Sequence, residues 1–305
     1  MFRLWKLAIS SLLSTQLMAG EVCPPLATQP SDAELYQALD LQPQPARAML
    51  YQVRKGRLNS LLFGTTHLGP PLIKQASPRV ILALLKSKTL VVEAIPDQQS
   101  AQQWYALSTA AEPLPLAREL GPQLYKKYLR LAAHVKVPPT RAAQLKPWAA
   151  MLAIGSPPNR DLGIDQQLLQ HARRARLKIK PLQSLGEIAQ ALNSLKLDDQ
   201  VTMLRDTICQ SDTLPRYMSQ LARLYASGEP KLIKIYNRWG RENDPVFARF
   251  TQTMVNDRNK AFLATLLRHL EKGEVFISVG AEHLVGEHGL IALLQAEGYQ
   301  VTRQP

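Results

Sequence analysis

The 305-residue sequence lacks an apolar run near the roughly 20 residues that a membrane-spanning helix needs. It has only two cysteines and no CxxC pair, which argues against zinc-ribbon and thioredoxin-like chemistry. It also lacks the GxSxG, HExxH, Walker A and dinucleotide-binding glycine motifs, and this argues against serine hydrolases, standard zinc peptidases, NTPases and NAD enzymes. With 46% hydrophobic and 20% charged residues, the chain can build a sizeable globular core, and no integral membrane span is expected once an N-terminal signal is removed.

Acidic residues are too few to balance the basic ones, since 37 Lys and Arg face 24 Asp and Glu for a net charge of +13. The densest basic run lies between His171 and Lys180. It has no interleaved aromatic residues to stack on bases, so we expect a solvated helix face and no nucleic-acid partner. Association with anionic envelope surfaces is a weaker alternative.

Residues 1–20 have the layout of a secretory signal peptide, with Arg3 and Lys6 before an apolar segment that ends at Ala19-Gly20. An amphipathic first helix is the alternative. We therefore expect a periplasmic or secreted protein with an extended segment at 21–45 and one domain at 46–305. In an oxidising compartment Cys23 and Cys209 could form one disulfide, and two unpaired buried thiols are the alternative.

The two ends of the chain carry the same predicted unit, namely strand, glycine turn, histidine loop, helix and strand. Between them lies a mainly helical region interrupted by prolines. The pattern predicts one helix with Ser77 as its N-cap and Pro78 in its first turn. It predicts strands, the first two forming a hairpin, at 49–53, 60–63, 89–94, 274–279 and 299–302. This predicts an α+β fold in which a central mixed sheet is built from the two terminal units around a large helical insertion.

Each repeated unit contains a GxxH motif, Gly64-Thr65-Thr66-His67 in the first and Gly280-Ala281-Glu282-His283 in the second. A glycine at the end of an apolar strand lets the backbone turn sharply and approach a ligand. The histidine then lies where a strand leads into a helix, which is a usual place for sites in α/β folds. The two imidazoles could face each other, although a lone histidine is more often structural.

A third candidate is Glu93, a carboxylate within the apolar strand Leu90–Ile95. Burying it is costly unless it is paired, protonated or bound to a cation. His67, His283 and Glu93 suffice to hold a divalent metal ion (Mn, Co, Zn or Fe) or to act as ligands and general base. Glu282 is a further candidate ligand, with an exposed loop carboxylate as the equally plausible alternative.

These motifs resemble the TraB/GumN (TraB/PrgY/GumN, Tiki-like) family. The resemblance covers roughly 49–303 and rests on the two GxxH loops, the strand that ends at Glu93, the pair Arg258-Asn259, and weaker matches at Lys146-Pro147-Trp148 and Gly163-Ile164-Asp165. It implies a fold like that of erythromycin esterase and ChaN-like proteins. Because Tiki relatives are metalloproteases, it also implies metal-dependent hydrolysis of a peptide or protein substrate by His67, His283 and Glu93.

The resemblance further implies that Arg258 acts in catalysis or holds a substrate carboxylate or oxyanion. Asn259, Thr65 and Thr66 are the other residues expected to bind the substrate. The alternative for Arg258 is a salt bridge that orders its helix. One departure stands out, because Gln183 occupies a position where many members have a glutamate. The expected function is therefore a metal-dependent hydrolase, most simply a metallopeptidase of the cell envelope. The alternative is a non-catalytic envelope protein that binds a peptide, haem or another ligand through the same residues.

Overall fold

The structure, a computed structural model, describes residues 23, 30–39, 41, 48–67, 75–156 and 163–304. The predicted signal peptide at 1–20 and most of the segment at 21–45 lie outside the described residues.

Six strands form one mixed sheet in the order β4-β3-β5-β2-β1-β6. The pairs β2–β5, β5–β3 and β3–β4 are parallel, and β1 pairs antiparallel with both β2 and β6. The strands are β1 Leu50–Lys55, β2 Leu58–Thr65, β3 Thr89–Val92, β4 Lys178–Pro181, β5 Val275–Gly280 and β6 Gln300–Arg303. The predicted hairpin is β1–β2, and the predicted α+β class with a mixed sheet is confirmed.

Fifteen α-helices surround this sheet in the described residues. Most belong to the insertion between β3 and β5, as expected. They are α1 Asp32–Ala38, α2 Pro78–Leu85, α3 Gln98–Ser108, α4 Leu116–Leu120, α5 Pro122–His134, α6 Pro139–Gln144, α7 Pro147–Gly155, α8 Ile164–Arg174, α9 Leu185–Asn193, α10 Leu197–Gln210, α11 Leu214–Ser227, α12 Pro230–Asn243, α13 Pro245–Thr251, α14 Arg258–Leu270 and α15 Leu290–Ala296. A π-helical segment, Gln252–Asp257, joins α13 to α14, and a 3₁₀ turn, Ala281–His283, follows β5.

The sheet lies between two helical layers, each with its own apolar core. On one face α14 and α15 pack on β1, β2 and β5 through residues such as Phe262, Leu266 and Ile277. On the other face α2 and α8 pack on the strands around Phe63 and Phe276. Strands covered on both faces are expected to read as continuous apolar runs, which is why β3 and β5 are evident in the sequence.

A third core holds the helical insertion together around the fully buried Trp148. The indole Nε1 donates a hydrogen bond of 2.7 Å to Asn193 Oδ1. Burying an indole without a partner for its N–H is costly, so this bond accompanies the apolar contacts. The insertion thus has a packed interior of its own beside the sheet.

The N-terminal segment is attached to the insertion at two places. Cys23 and Cys209, the latter on α10, form a disulfide. Helix α1 packs Leu35 against Leu224 of α11 and Leu232 of α12. Among the described residues, no helix is both long and apolar enough to cross a membrane.

Candidate functional site

The two GxxH loops meet at one edge of the sheet because β2 and β5 are parallel neighbours in register. Thr65 pairs with Gly280 at the end of the two strands, and Val92 at the end of β3 pairs with Ser278. Parallel strands place their carboxyl ends at the same edge. His67, Glu93 and His283 therefore line one cavity.

The first loop is held by the start of α8. His67 Nδ1 and Asp165 Oδ2 are 2.8 Å apart, and the backbone N–H of Ile164 donates to the carbonyl of Thr66 at 3.1 Å. The hydrogen bond to Asp165, together with its charge, raises the pKa of His67 to about 9. The His67 side chain is 81% exposed and lines the cavity, so it stands at the cavity mouth with Nδ1 held by Asp165.

The second loop is held by Asn259, which is fully buried. Its Oδ1 lies 2.7 Å from His283 Nδ1, and its Nδ2 donates to the carbonyls of His283 and His288 at 3.1 and 2.8 Å. An amide oxygen can only accept, so Nδ1 of His283 carries a proton and donates to Asn259 Oδ1. Asn259 thus holds His283 in position and is not among the described residues that line the cavity, and its predicted contact with substrate stays a prediction.

Glu93 lies between the two loops and is bound to Arg258. Arg258 Nη2 donates to Glu93 Oε2 at 2.8 Å, and the N–H of Gly280 donates to Oε1 at 2.7 Å. Burial alone raises the pKa of Glu93, but the facing His283 and Arg258 and the Gly280 N–H outweigh it and hold this pKa well below the usual range. Glu93 is therefore an ionised carboxylate with partners on both oxygens.

Arg258 directly follows the π-helical segment and makes contacts in several directions. Its Nε donates to Gln183 Oε1 at 2.9 Å, and its Nη1 donates to the carbonyl of Met254 and lies 3.3 Å from His283 Nε2. Its ion pair therefore joins the first residue of α14 to the residue that follows β3. Gln183 serves as a neutral acceptor for this guanidinium.

The motif glycines act through close approach and not, as the sequence suggested, through a sharp turn. Gly64 lies within β2, and neither it nor Gly280 has a positive φ. A Cβ on Gly64 would lie 2.8 Å from Leu284 Cδ1, and one on Gly280 would lie 3.2 Å from Glu93 Oε1. The absence of a side chain at Gly64 lets the loop after β5 pack on β2. The absence of one at Gly280 lets Glu93 accept a hydrogen bond from the Gly280 N–H.

The remaining predicted residues also line the cavity. Thr65 is buried at the end of β2, Thr66 is half-buried, and Glu282 is exposed within the cleft. The enclosing protein raises the pKa of Glu282, and the neighbouring His283 and His67 partly offset that effect.

The cavity has a volume of about 370 Å³. Its wall is largely apolar and is formed by α11, α12, α13 and the π-helical segment. Tyr225 of α11 donates its hydroxyl to the carbonyl of Gly64 at 2.9 Å, which ties this wall to β2. Asn237 of α12 also lines the cavity and is 5% exposed, and its buried Oδ1 has no hydrogen-bond partner among the described residues. Its amide is a polar group in an apolar wall, as ligand pockets commonly have.

The expected metal ion fits part of this arrangement. Both histidines have Nδ1 held by an oxygen atom, which is the usual orientation for an imidazole that binds a metal through Nε2. Yet no group of three or more His, Cys, Asp and Glu side chains in the described ranges is arranged to hold a metal ion. Arg258 sits beside both His283 Nε2 and Glu93. A divalent cation held by the two imidazoles and Glu93 would have to displace Arg258 from both His283 Nε2 and Glu93 Oε2.

Three residues of the site were not among the sequence candidates: Asp165, Tyr225 and Asn237. Asp165 had a signal, because it ends the motif Gly163-Ile164-Asp165 at the start of a predicted helix. Tyr225 and Asn237 lie in amphipathic helices whose faces read as core, and no local pattern separates a wall of a cavity from a packed interior.

The fold and the site together define an α+β protein with two GxxH loops around a buried glutamate–arginine pair. The model of the TraB/PrgY/gumN family matches residues 49–303, and the chain belongs to this family. It is also similar to the uncharacterized protein YbaP of Shigella flexneri, with 24% identity over 252 residues that cover 79% of this chain and 89% of that protein. No solved structure matches, so the likeness to erythromycin esterase and ChaN-like proteins stays a prediction.

Proposed function

We propose that this protein is a metal-dependent hydrolase, specifically a peptidase that acts on peptides or proteins in the cell envelope. The observation that carries the proposal is the matched orientation of the two histidines. Each Nδ1 is fixed by an oxygen acceptor, 2.8 Å away for His67 and 2.7 Å for His283, and both rings line the cavity that also contains Glu93. Two oriented imidazoles and one carboxylate are a common donor set of hydrolytic metal sites.

In this proposal His67, His283 and Glu93 hold a divalent cation, with Glu282 as a further candidate ligand at the mouth. A bound Mn, Co, Zn or Fe ion supplies Lewis-acid polarisation of a carbonyl and a water that ionises near neutral pH. Asp165 and Asn259 keep the imidazoles oriented. Arg258, freed from Glu93, offers a cation to a substrate carboxylate or to negative charge that develops on a carbonyl oxygen.

The shape and lining of the cavity support an extended peptide as substrate. The wall formed by α11 and α12 offers apolar contacts for a side chain, and the unpartnered Oδ1 of Asn237 can accept a hydrogen bond from a backbone N–H. Thr65 and Thr66, which precede His67, also line the cavity. The signal-like segment at 1–20 supports the proposed location in the periplasm or outside the cell.

The test is to incubate the purified chain with Mn, Co, Zn or Fe(II), remove free ion, and measure bound metal and cleavage of a peptide library with the ion present. We expect close to one metal per chain and cleavage in the wild type and in His134→Ala, which removes an exposed imidazole on α5. We expect both to be lost in His67→Ala and His283→Ala. Absence of cleavage by the wild type with every ion contradicts the proposal.

A second candidate is a non-catalytic binder of a peptide, haem or another ligand. The observation that favours it is the guanidinium of Arg258, which lies 3.3 Å from His283 Nε2 and 2.8 Å from Glu93 Oε2. The guanidinium already neutralises Glu93, so the site is charge-balanced without a metal, and the same residues can hold a ligand without activating water. Library peptides or haem that bind the wild type but are recovered unchanged, with binding lost in Arg258→Gln, would favour this candidate.

A further inference from the structure

A second cavity of about 800 Å³ opens at the opposite edge of the sheet, where the parallel strands begin. It is lined by the first residues of β2, the residues that lead into β5, and one face of α2. The GxxH loops lie at the other ends of these same strands. The two cavities are therefore separated by the length of β2 and β5.

Four cations surround this second cavity, namely Arg57, Arg79, Lys86 and Lys272. None of them forms an ion pair with a carboxylate in the described part of the chain. The single carboxylate among the described lining residues, Glu274, is bound to Lys88. Like charges that converge on a concave surface raise the local potential and attract an anion.

Exposed leucines lie beside these cations. Leu82 is 59% exposed and Leu58 is 37% exposed, and both line the cavity. Arg79 and Leu82 lie on α2 and Lys86 caps its end, and their spacing places them on one face of the helix. Exposed apolar side chains grouped in a concave site indicate a ligand with an apolar part, and the described lining contains no aromatic ring on which a nucleic-acid base could stack.

We propose that this cavity binds a single-chain anionic amphiphile, with its carboxylate or phosphate head among the four cations and its alkyl chain along Leu58 and Leu82. We infer an anionic head group from the four cations. We infer an alkyl chain from the two leucines, because a simple inorganic anion would leave them without an apolar contact. The proposal does not depend on hydrolysis at the GxxH cavity, because it uses none of those residues.

The test is calorimetric titration of the full chain with dodecanoate below its micelle concentration, beside inorganic phosphate and dodecanol. Two cavity variants are compared with the wild type, Arg79→Gln/Lys86→Gln and Leu82→Gln. Their matched controls are Arg173→Gln/Arg174→Gln on α8 and Leu197→Gln on α10, which change exposed residues away from the cavity. Thermal unfolding of each variant verifies that it is folded.

We expect dodecanoate to bind the wild type and to bind each cavity variant at least about tenfold more weakly, with controls and His67→Ala within about twofold of the wild type. Phosphate and dodecanol should both bind more weakly than dodecanoate. Equal binding of phosphate, equal loss in the control variants, loss in His67→Ala, or no binding of dodecanoate to the wild type would each overturn the proposal.

Discussion

Gly163 illustrates at the residue scale how a position outside the motifs supports the site. It precedes α8, and a Cβ built on it would lie 2.6 Å from the carbonyl oxygen of His67 and 2.8 Å from the carbonyl carbon. Both are backbone atoms, so a rotamer change cannot relieve the clash. The close approach also lets Ile164 and Asp165 bond to the first loop.

We expect Gly163→Ala to lower stability by about 1–3 kcal/mol, the usual range for overpacking, and to weaken metal retention because His67 is displaced. Urea unfolding and metal analysis measure the two effects. Gly155→Ala is the control, since a Cβ there meets only Thr207 Cγ2 at an ordinary 3.5 Å. If the two variants are equally stable, the loop that contains His67 accommodates the added methyl group without loss of stability, and the close approach of Gly163 does not matter.

The sequence predicts the central residues of the site, and the family resemblance adds Arg258 and Asn259, but neither predicts which of these residues contact each other. His67, His283 and Glu93 are evident because a polar residue after or within an apolar strand is locally unusual. The contacts of Asp165 with His67 and of Asn259 with His283 join positions 98 and 24 residues apart. Such contacts depend on the tertiary fold, so local spacing cannot reveal them.

At the scale of secondary structure, elements with strong local signals agree with the sequence. The predicted cap of α2 is present, since Ser77 Oγ accepts from the N–H of Val80 and Pro78 begins the helix. Strand β4 was missed, because Lys178-Ile179-Lys180-Pro181 lies at the edge of the sheet and is mostly exposed. The π-helical segment before Arg258 was missed as well, because its residues have the composition of an ordinary helix.

Asp199 connects two elements of the insertion, α10 and α13, through Arg249. Arg249 Nε and Nη2 donate to its two oxygens at 2.7 and 2.6 Å. These hydrogen bonds lower the pKa of Asp199 in the folded state. Because the unfolded chain then binds a proton at higher pH than the folded chain, the pair stabilises the fold above the ordinary aspartate pKa of about 4 and loses this effect as pH falls through the lowered pKa.

We therefore expect Asp199→Asn to unfold at lower urea concentration than the wild type at pH 7, and the difference to shrink towards pH 3. The neighbouring Asp198→Asn serves as the control, because Asp198 is exposed and forms no ion pair within the described ranges. A difference between wild type and Asp199→Asn that stays constant from pH 7 to pH 3 would show that the ion pair does not contribute.

At the scale of the whole molecule, the N-terminal segment is linked to the helices that form the cavity wall. Asp32 at the start of α1 accepts from Arg223 Nε at 2.6 Å, and Gln220 Nε2 donates to the carbonyl of Pro30 at 2.7 Å. Both partners lie on α11, whose Leu221 and Tyr225 line the cavity. The segment that precedes the sheet therefore supports the wall of the site from outside.

The disulfide between Cys23 and Cys209 extends this attachment to α10 and closes a loop with a sequence separation of 186 residues. A cross-link of that span restricts the unfolded chain, and the chain-entropy model limits the resulting stabilisation to about 5 kcal/mol.

We expect Cys23→Ser/Cys209→Ser to have a free energy of unfolding about 2–5 kcal/mol below that of the wild type in urea. Dithiothreitol should lower the midpoint of the wild type to that of the double variant and leave the variant unchanged. The reductant-insensitive variant is also the control for direct effects of dithiothreitol. Equal midpoints for oxidised and fully reduced wild type would mean that the non-covalent contacts of α1 already fix the segment, and that the cross-link adds nothing to stability.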